Sequence, residues 1–245
     1  MAEENARLLL CELHAHTTWS DGALTLTELV DAYGRHGFDV LCVTDHAFPD
    51  DAPRQHTPLR LDRRTHAQYL KAIEREARRA RDQYGLLVIP GLELTYDDPD
   101  PDEAAHAVAL GLRSFDPLAA GLEDALRAAR QLGAAVVAAH PHGSEPDPKP
   151  MRTTRWFWRN QDRLGGLVDR FELFNRRRTF GWVAIAGLPS VAAGDFHRLE
   201  HLTTWKTMLP CRKQEDAVLD YLRSSGRAYV VPWGLREELR GRKAA

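Results

Sequence analysis

Two histidines two residues apart, His14 and His16, follow the apolar run Leu8-Leu9-Leu10-Cys11. On extended backbone, residues i and i+2 share a face, so both imidazoles reach one metal ion. Asp21, beside the turn residue Gly22, can bring a carboxylate back to the same place. The two-apart spacing recurs in His140-Pro141-His142 and Asp195-Phe196-His197. Asp45-His46 and Glu93 follow further apolar runs, and His106 opens one. Imidazole and carboxylate donors without thiolate suit zinc, manganese or iron. The donors outnumber the needs of one ion, so two or three ions with a bridging carboxylate are the simplest reading. Two ions ~3.5–4 Å apart clamp the attacking and leaving oxygens of an in-line displacement, and a water held by them is acidified toward pKa ~7. Taken singly, each piece has a plain structural reading: Asp45 as a cap or turn, Glu93 as a buried ion-pair partner, His106 as a core or surface histidine. Their joint occurrence at successive strand ends favours the metal.

These residues need a frame that gathers separated segments. Thr25-x-x-Glu28 has capping-box spacing and opens a helix that runs to Gly37. Thr65-x-x-Gln68 caps a second helix closed by Gly85, and Gly133 closes a third over 122–132. Two more helices are predicted over 152–164 and 215–225. Strands are predicted over 38–43, 86–89, 106–111, 134–139, 170–174, 190–193 and 228–231. A repeating pattern of helix, glycine, apolar run and ligand-type side chain leads from Gly37 to Asp45 and His46, from Gly85 to Glu93, and from Gly133 to His140. Apolar runs alternating with helices predict parallel strands buried on both faces, with the chemistry at their carboxyl ends. The reading is a single barrel-like α/β domain.

At 245 residues the chain can bury a sizeable core, and its formal charge of −2 argues against a strongly basic nucleic-acid surface. The cysteines Cys11, Cys42 and Cys211 are odd in number and far apart, which fits reduced thiols rather than a disulfide framework or a thiolate zinc site. The acidic start and the lack of any run of about 20 apolar residues predict a cytoplasmic protein without a signal peptide or membrane span. Oligomeric state is not legible from these patterns.

His14-Ala-His16-Thr with Ser20-Asp21-Gly22, Thr44-Asp45-His46, Gly91-Leu-Glu93-Leu-Thr95, His106, His140-Pro141 and Gly194-Asp195-Phe-His197 resemble, in this order and over nearly the whole chain, the polymerase and histidinol phosphatase (PHP) superfamily. The resemblance implies a distorted seven-stranded, TIM-like (β/α)7 barrel over residues 1–233; the residues after it, 234–245, read as a basic, solvated tail. It also implies a di- or trinuclear metal centre that hydrolyses phosphoesters through a bridging hydroxide. One ion takes His14, His16, Glu93 and Asp195; a second shares Glu93 and adds His106 and His140; a third sits among Asp21, His46 and His197. Glu93, Asp195 and His197 form the catalytic set. Some nucleotide-cleaving relatives carry a large insertion between the positions of His106 and His140, where this chain has only one helix and one strand, so their substrate does not transfer. Some relatives carry histidine at the Asp21 position.

Candidates for substrate binding are Arg177, the guanidinium preferred for a bidentate phosphate contact, with Asn175 and Arg176 beside it, and His142 as a donor to a phosphate or leaving oxygen. His201 and Lys206 are further candidates for the pocket wall, whereas His36, His56 and His66 read as surface residues. The expected substrate is a small phosphorylated molecule or a nucleotide, without stable nucleic-acid binding. The rival readings are a metal hydrolase of amidohydrolase type and a non-catalytic metal-binding or partner domain.

Overall fold

In the computed structural model, which describes residues 8–49, 61–116, 118, 121–142 and 154–233, the first described element is a fully buried strand, β1 (Leu9–Glu12). There follow α1 (Leu26–Arg35), β2 (Val40–Val43), β3 (His46–Ala47), α2 (His66–Tyr84), β4 (Leu87–Tyr96), β5 (Ala105–Leu110), α3 (Leu122–Gln131) and β6 (Ala135–Ala139). The second half adds α4 (Trp156–Arg159), β7 (Arg170–Asn175), β8 (Arg178–Thr179), α5 (Gly181–Ile185), β9 (Ser190–Ala193), β10 (Lys206–Leu209), α6 (Glu215–Arg223) and β11 (Tyr229–Val231). The capping box at Thr25 and Glu28 forms, with Thr25 N donating to the Glu28 carboxylate at 2.9 Å. At α2, Thr65 makes no side-chain cap. Asp62 Oδ1 takes that role instead, accepting from Arg64 N and Thr65 N at 2.9 Å each. Of the helix predicted over 152–164, the described part forms only α4 and a short 3-10 turn, Gln161–Arg163. The tail over 234–245 and His56 lie outside the described residues.

One mixed sheet runs β11-β10-β1-β2-β4-β5-β6-β7-β8, with β3 paired to β4 and β9 to β7. The pairs β1–β2, β2–β4, β6–β7 and β7–β9 are parallel. The expectation of uniformly parallel strands fails at β5, which is antiparallel to both β4 and β6. The reason is the connection: no helix intervenes between β4 and β5, and a parallel pairing needs a crossover of a dozen residues or more. Strands β10 and β11 add antiparallel pairs beside β1. The regular (β/α)7 repeat is therefore replaced by a curled mixed sheet. Backbone bonds from His16 N to Phe196 O (2.9 Å) and from Phe196 N to His14 O (3.0 Å) draw the end of β9 to the end of β1 and complete the curl.

Strand β4 continues well past the predicted Ile89. It pairs with β2 as far as Pro90 and with β5 from Gly91 onward, so the proline falls where the strand changes neighbours. Gly91 permits the crossing, because a Cβ there would lie 2.8 Å from Ala109 O. Alternating strand residues feed two apolar layers, one containing Leu10, Leu41 and Val88 and the other Leu9, Val40 and Ile89. Val218 and Leu222 of α6 pack into the second layer. This helix closes the end of the curl near Gly111 and Gly133, leaving the other end to the histidines. Among the described residues no helix is long and apolar enough to cross a membrane.

Candidate metal centre

Sheet register places the central donors. His46 of β3 pairs with Glu93 of β4, Thr95 of β4 with His106 of β5, and His106 with Ala139 of β6, one residue before His140. The link between Ala15 and Phe196 brings His14 and His16 alongside Asp195 and His197. Three groups of donor atoms result: His14, His16 and Glu93; His46, Glu93 and His106; and His16, Asp21, His46 and His197.

Glu93 is the hub and is fully buried. Its Oε1 lies 3.1 Å from His106 Nδ1, 3.2 Å from His140 Nε2 and 3.4 Å from His14 Nε2, and its Oε2 lies 3.3 Å from His16 Nε2. Asp195 Oδ1 stands 3.7 Å from His14 Nε2 and 3.5 Å from His16 Nε2. Asp21 Oδ1 faces His197 Nε2 at 3.1 Å and His46 Nε2 at 3.6 Å. All nine residues expected to bind metal thus converge on one cluster.

The outer ring nitrogens assign the inner ones. His14 Nδ1 meets Glu172 Oε1 at 2.9 Å, and His106 Nε2 meets Asp97 Oδ1 at 2.9 Å. Ser20 donates to Asp45, so His16 Nδ1, 3.4 Å away, is the donor to Ser20 Oγ. By the same logic His46 Nδ1 donates to Thr95 Oγ1 (2.9 Å), whose proton goes to Glu93 O, and His140 Nδ1 donates to Thr154 Oγ1 (3.4 Å), whose proton goes to His140 O. A ring whose far nitrogen donates presents a lone pair on the near one, which is the geometry of histidine metal ligands. Among the described residues Glu93 Oε2 is buried without a hydrogen-bond partner; His46 Nδ1 is 2.7 Å away but engages Thr95. Converging lone pairs around an unpartnered carboxylate oxygen fit divalent cations.

Carboxylates and imidazoles in the cluster shift one another strongly. Burial opposes charge on His106 and His197, yet Glu93 with Asp97, and Asp195 with Asp21, raise these two rings to about 10. His14 is likewise raised against its burial by Glu93, Asp195 and Glu172. His16 goes the other way, lowered by burial and by His197 and His46. Glu93 and Asp195 are held well below the usual carboxylate range, the nearby rings outweighing burial. A cloud of carboxylates that draws protons onto buried imidazoles is one that divalent cations would neutralise.

The other expected residues are placed differently. Asn175 is buried and donates to Glu172 Oε2 at 2.7 Å, so it braces the residue behind His14. Arg177 is exposed and lines a cavity of about 210 Å³ with Arg176, Thr203, Trp205 and Trp233. Arg176, from the same turn, pairs with Asp195 Oδ2 at 2.9 Å. His142 Nδ1 is buried without a partner among the described residues, and its ring centroid lies 5.0 Å from that of Trp158. Asp45 accepts from Thr17 N, Thr17 Oγ1 and Ser20 Oγ and so organises the loop after β1. His201 Nδ1 accepts from His197 N, and Lys206 is fully buried rather than part of a pocket wall. His140, His142, Arg176 and Asp195 all have positive φ, from 30° to 60°, which concentrates backbone strain at the strand ends around the cluster. Glu172, Asp97 and Arg176 as an Asp195 partner emerge only from the structure. A carboxylate inside the apolar strand Arg170–Asn175 was the available signal for Glu172.

The family profile of the PHP domain matches residues 12–142, more than half of the chain. A two-domain protein from Bacteroides vulgatus, described as containing a predicted PHP-like metal-dependent phosphoesterase, superposes with a TM-score of 0.68 at 22% identity, covering 93% of this chain. This chain spans 66% of that protein's length. A structure described as an amidohydrolase from Chromobacterium violaceum, with bound sulfate and no metal, gives a TM-score of 0.51 at 16% identity over 76% of this chain and 87% of that one. The DNA polymerase/3'-5' exonuclease PolX of Bacillus subtilis is 42% identical over 36 residues, 15% of this chain and 6% of the polymerase.

Proposed function

The chain belongs to the PHP domain family, and from that premise we propose that it is a metal-dependent phosphoesterase acting on a phosphomonoester or phosphodiester of a small molecule or nucleotide. The observation that carries this reading is the ring of inward-facing imidazole nitrogens around Glu93, whose Oε2 has no hydrogen-bond partner among the described residues. His14, His16, Glu93 and Asp195 would hold one ion, Glu93, His106 and His140 a second, and Asp21, His46 and His197 a third. Bound zinc, manganese or iron supplies hydroxide at neutral pH and a clamp on phosphoryl oxygens. Glu172, Asp97, Ser20, Thr95 and Thr154 orient the rings from behind. Arg176, held against Asp195, stands at the edge of the centre, and Arg177 faces the neighbouring cavity. We assign that cavity to the non-reacting part of the substrate, with the guanidinium groups taking its charge and Trp205 and Trp233 its apolar part. His142 would donate to a phosphate or leaving-group oxygen. The free cysteines, two of them buried, support a cytoplasmic setting.

The test is hydrolysis of an aryl phosphate and its diester by the metal-loaded chain, paired with elemental analysis. Turnover that needs metal and is lost on His14→Ala or Glu93→Ala is the expected result, and unaffected rates in those variants would refute it. The similarity in fold to a protein described as an amidohydrolase places amides in the same panel. Turnover of amides alone would replace the phosphoester reading, and stoichiometric metal without any turnover would favour a binding role.

A further inference from the structure

Glu12 ends β1 and Lys206 opens β10; both are fully buried, and Lys206 Nζ lies 2.7 Å from Glu12 Oε2. The second contact of Glu12 Oε2 is the hydroxyl of Tyr33, which donates at 2.9 Å. Glu12 Oε1 faces the backbone instead, accepting from Leu13 N (3.1 Å), His14 N (3.3 Å) and Gly194 N (2.7 Å). One oxygen therefore ties the main chain at His14 to the main chain just before Asp195, across two strands. Lys206 Nζ donates also to His201 O (3.2 Å) and Thr204 Oγ1 (3.1 Å), while His201 Nδ1 receives His197 N at 3.1 Å. The pair thus reaches His14, Asp195 and His197 from behind without touching their ligating atoms.

Stability alone is a poor explanation for such a pair. Removing two charges from water costs about as much as their attraction returns, and apolar residues of similar volume commonly serve as well or better. What apolar residues cannot supply is an acceptor that three backbone N–H groups share. Gly194 is fitted to the same purpose: a Cβ there would lie 2.3 Å from Glu12 Oε2 and 2.4 Å from Lys206 Nζ.

We propose that Glu12 and Lys206 form a positioning clamp that fixes the ends of β1 and β9, and with them the approach of His14 to Asp195 on which metal affinity depends. The clamp rests on the reading of this cluster as a metal centre. It is tested by manganese titration of the full, metal-stripped chain, with thermal melting recorded for each variant. Glu12→Leu with Lys206→Met removes the clamp and leaves no buried charge, whereas Glu12→Gln with Lys206→Met keeps the Oε1 acceptor. The Gln/Met chain, which loses only the Lys206 contacts, falls between the parent and the Leu/Met chain in manganese affinity, and the Leu/Met chain loses roughly tenfold to a hundredfold, as when supports behind a ligand are removed. Gly194→Ala alone weakens manganese binding by about tenfold on the same basis. A folded Leu/Met chain that binds manganese like the parent overturns the clamp. If that chain does not fold, the Gly194→Ala chain decides, and parent-like manganese affinity in it overturns the proposal. A parent chain that binds no manganese or zinc instead refutes the metal-centre reading itself.

Discussion

His14 Nε2 and His16 Nε2 face each other across 3.0 Å, while their outer nitrogens are engaged by Glu172 and Ser20. Two lone pairs at that distance repel unless a proton or a cation lies between them. Metal removal should therefore destabilise the fold. Free metal at 100 times its dissociation constant adds about 2.7 kcal/mol per site. Thermal melting with a chelator, and again after zinc or manganese is added back, should show a lowered and then restored midpoint. Superimposable curves would mean that no cation binds there.

Protonation should partly substitute for metal, and the pH dependence has a definite sign. His106 and His197 are raised to about 10 in the fold against an ordinary value of 6.5. The folded chain thus binds protons that the unfolded chain releases, and the resulting stability is fully present below about 6.5. It is lost as pH rises through the window from 6.5 to about 10. Metal-stripped protein should melt at progressively lower temperature across that window, while metal-loaded protein, whose rings carry no such protons, should show a flatter profile. Equal slopes in the two forms would contradict this assignment of charge.

Glu172 should matter nearly as much as a ligand. Its Oε1 fixes the His14 ring, and its Oε2 accepts from His140 N at 2.6 Å and from Asn175 Nδ2 at 2.7 Å. Glu172→Gln leaves one amide group facing donors, so His14 is no longer held in one tautomer. A tenfold to hundredfold loss of metal affinity or activity is expected. Asn175→Ala should give a smaller loss in the same direction. Isothermal titration of both variants with zinc provides the check, and parent-like binding by Glu172→Gln would remove it from the site.

The parts legible in the sequence were those where residue type and position conflict. A carboxylate in an apolar strand, as at Glu93, or a histidine pair at a strand end stands out because burial penalises it. Glu172 carries the same signal but lies among Phe171, Leu173 and Phe174, where alternation also suits a half-exposed strand. Asp97 opens the acidic stretch that runs to Glu103 and is indistinguishable there from solvated neighbours. The antiparallel turn at β5 is hidden because strand direction depends on connection length, and the apolar run that marks β4 ends at Ile89, some way short of Tyr96. Lys206 reads as pocket lining in the sequence because its partner Glu12 is 194 residues away, and nothing local marks the pairing.

Arg176 and Arg177 follow the same strand but should fail in different ways. Arg176 has φ of 53°, which turns the chain so that its guanidinium meets Asp195 Oδ2 and donates from Nε to Asp195 O at 3.0 Å. Arg177 lies exposed at the cavity wall. If the cavity holds the remote part of the substrate, Arg177→Ala removes binding shared by ground and transition states, raising KM while kcat changes little. The loss of one charge-assisted contact, about 1.5–3 kcal/mol, corresponds to roughly tenfold to a hundredfold in kcat/KM. Arg176→Ala, which unpairs a candidate ligand, should instead lower kcat and weaken metal binding. Arg176→Lys should not restore them, because an ammonium cannot engage the carboxylate and the carbonyl with the same planar fork. Steady-state kinetics of the three variants on the best substrate of the ester panel separate these effects. An Arg177→Ala enzyme with unaltered KM would take the cavity out of substrate recognition.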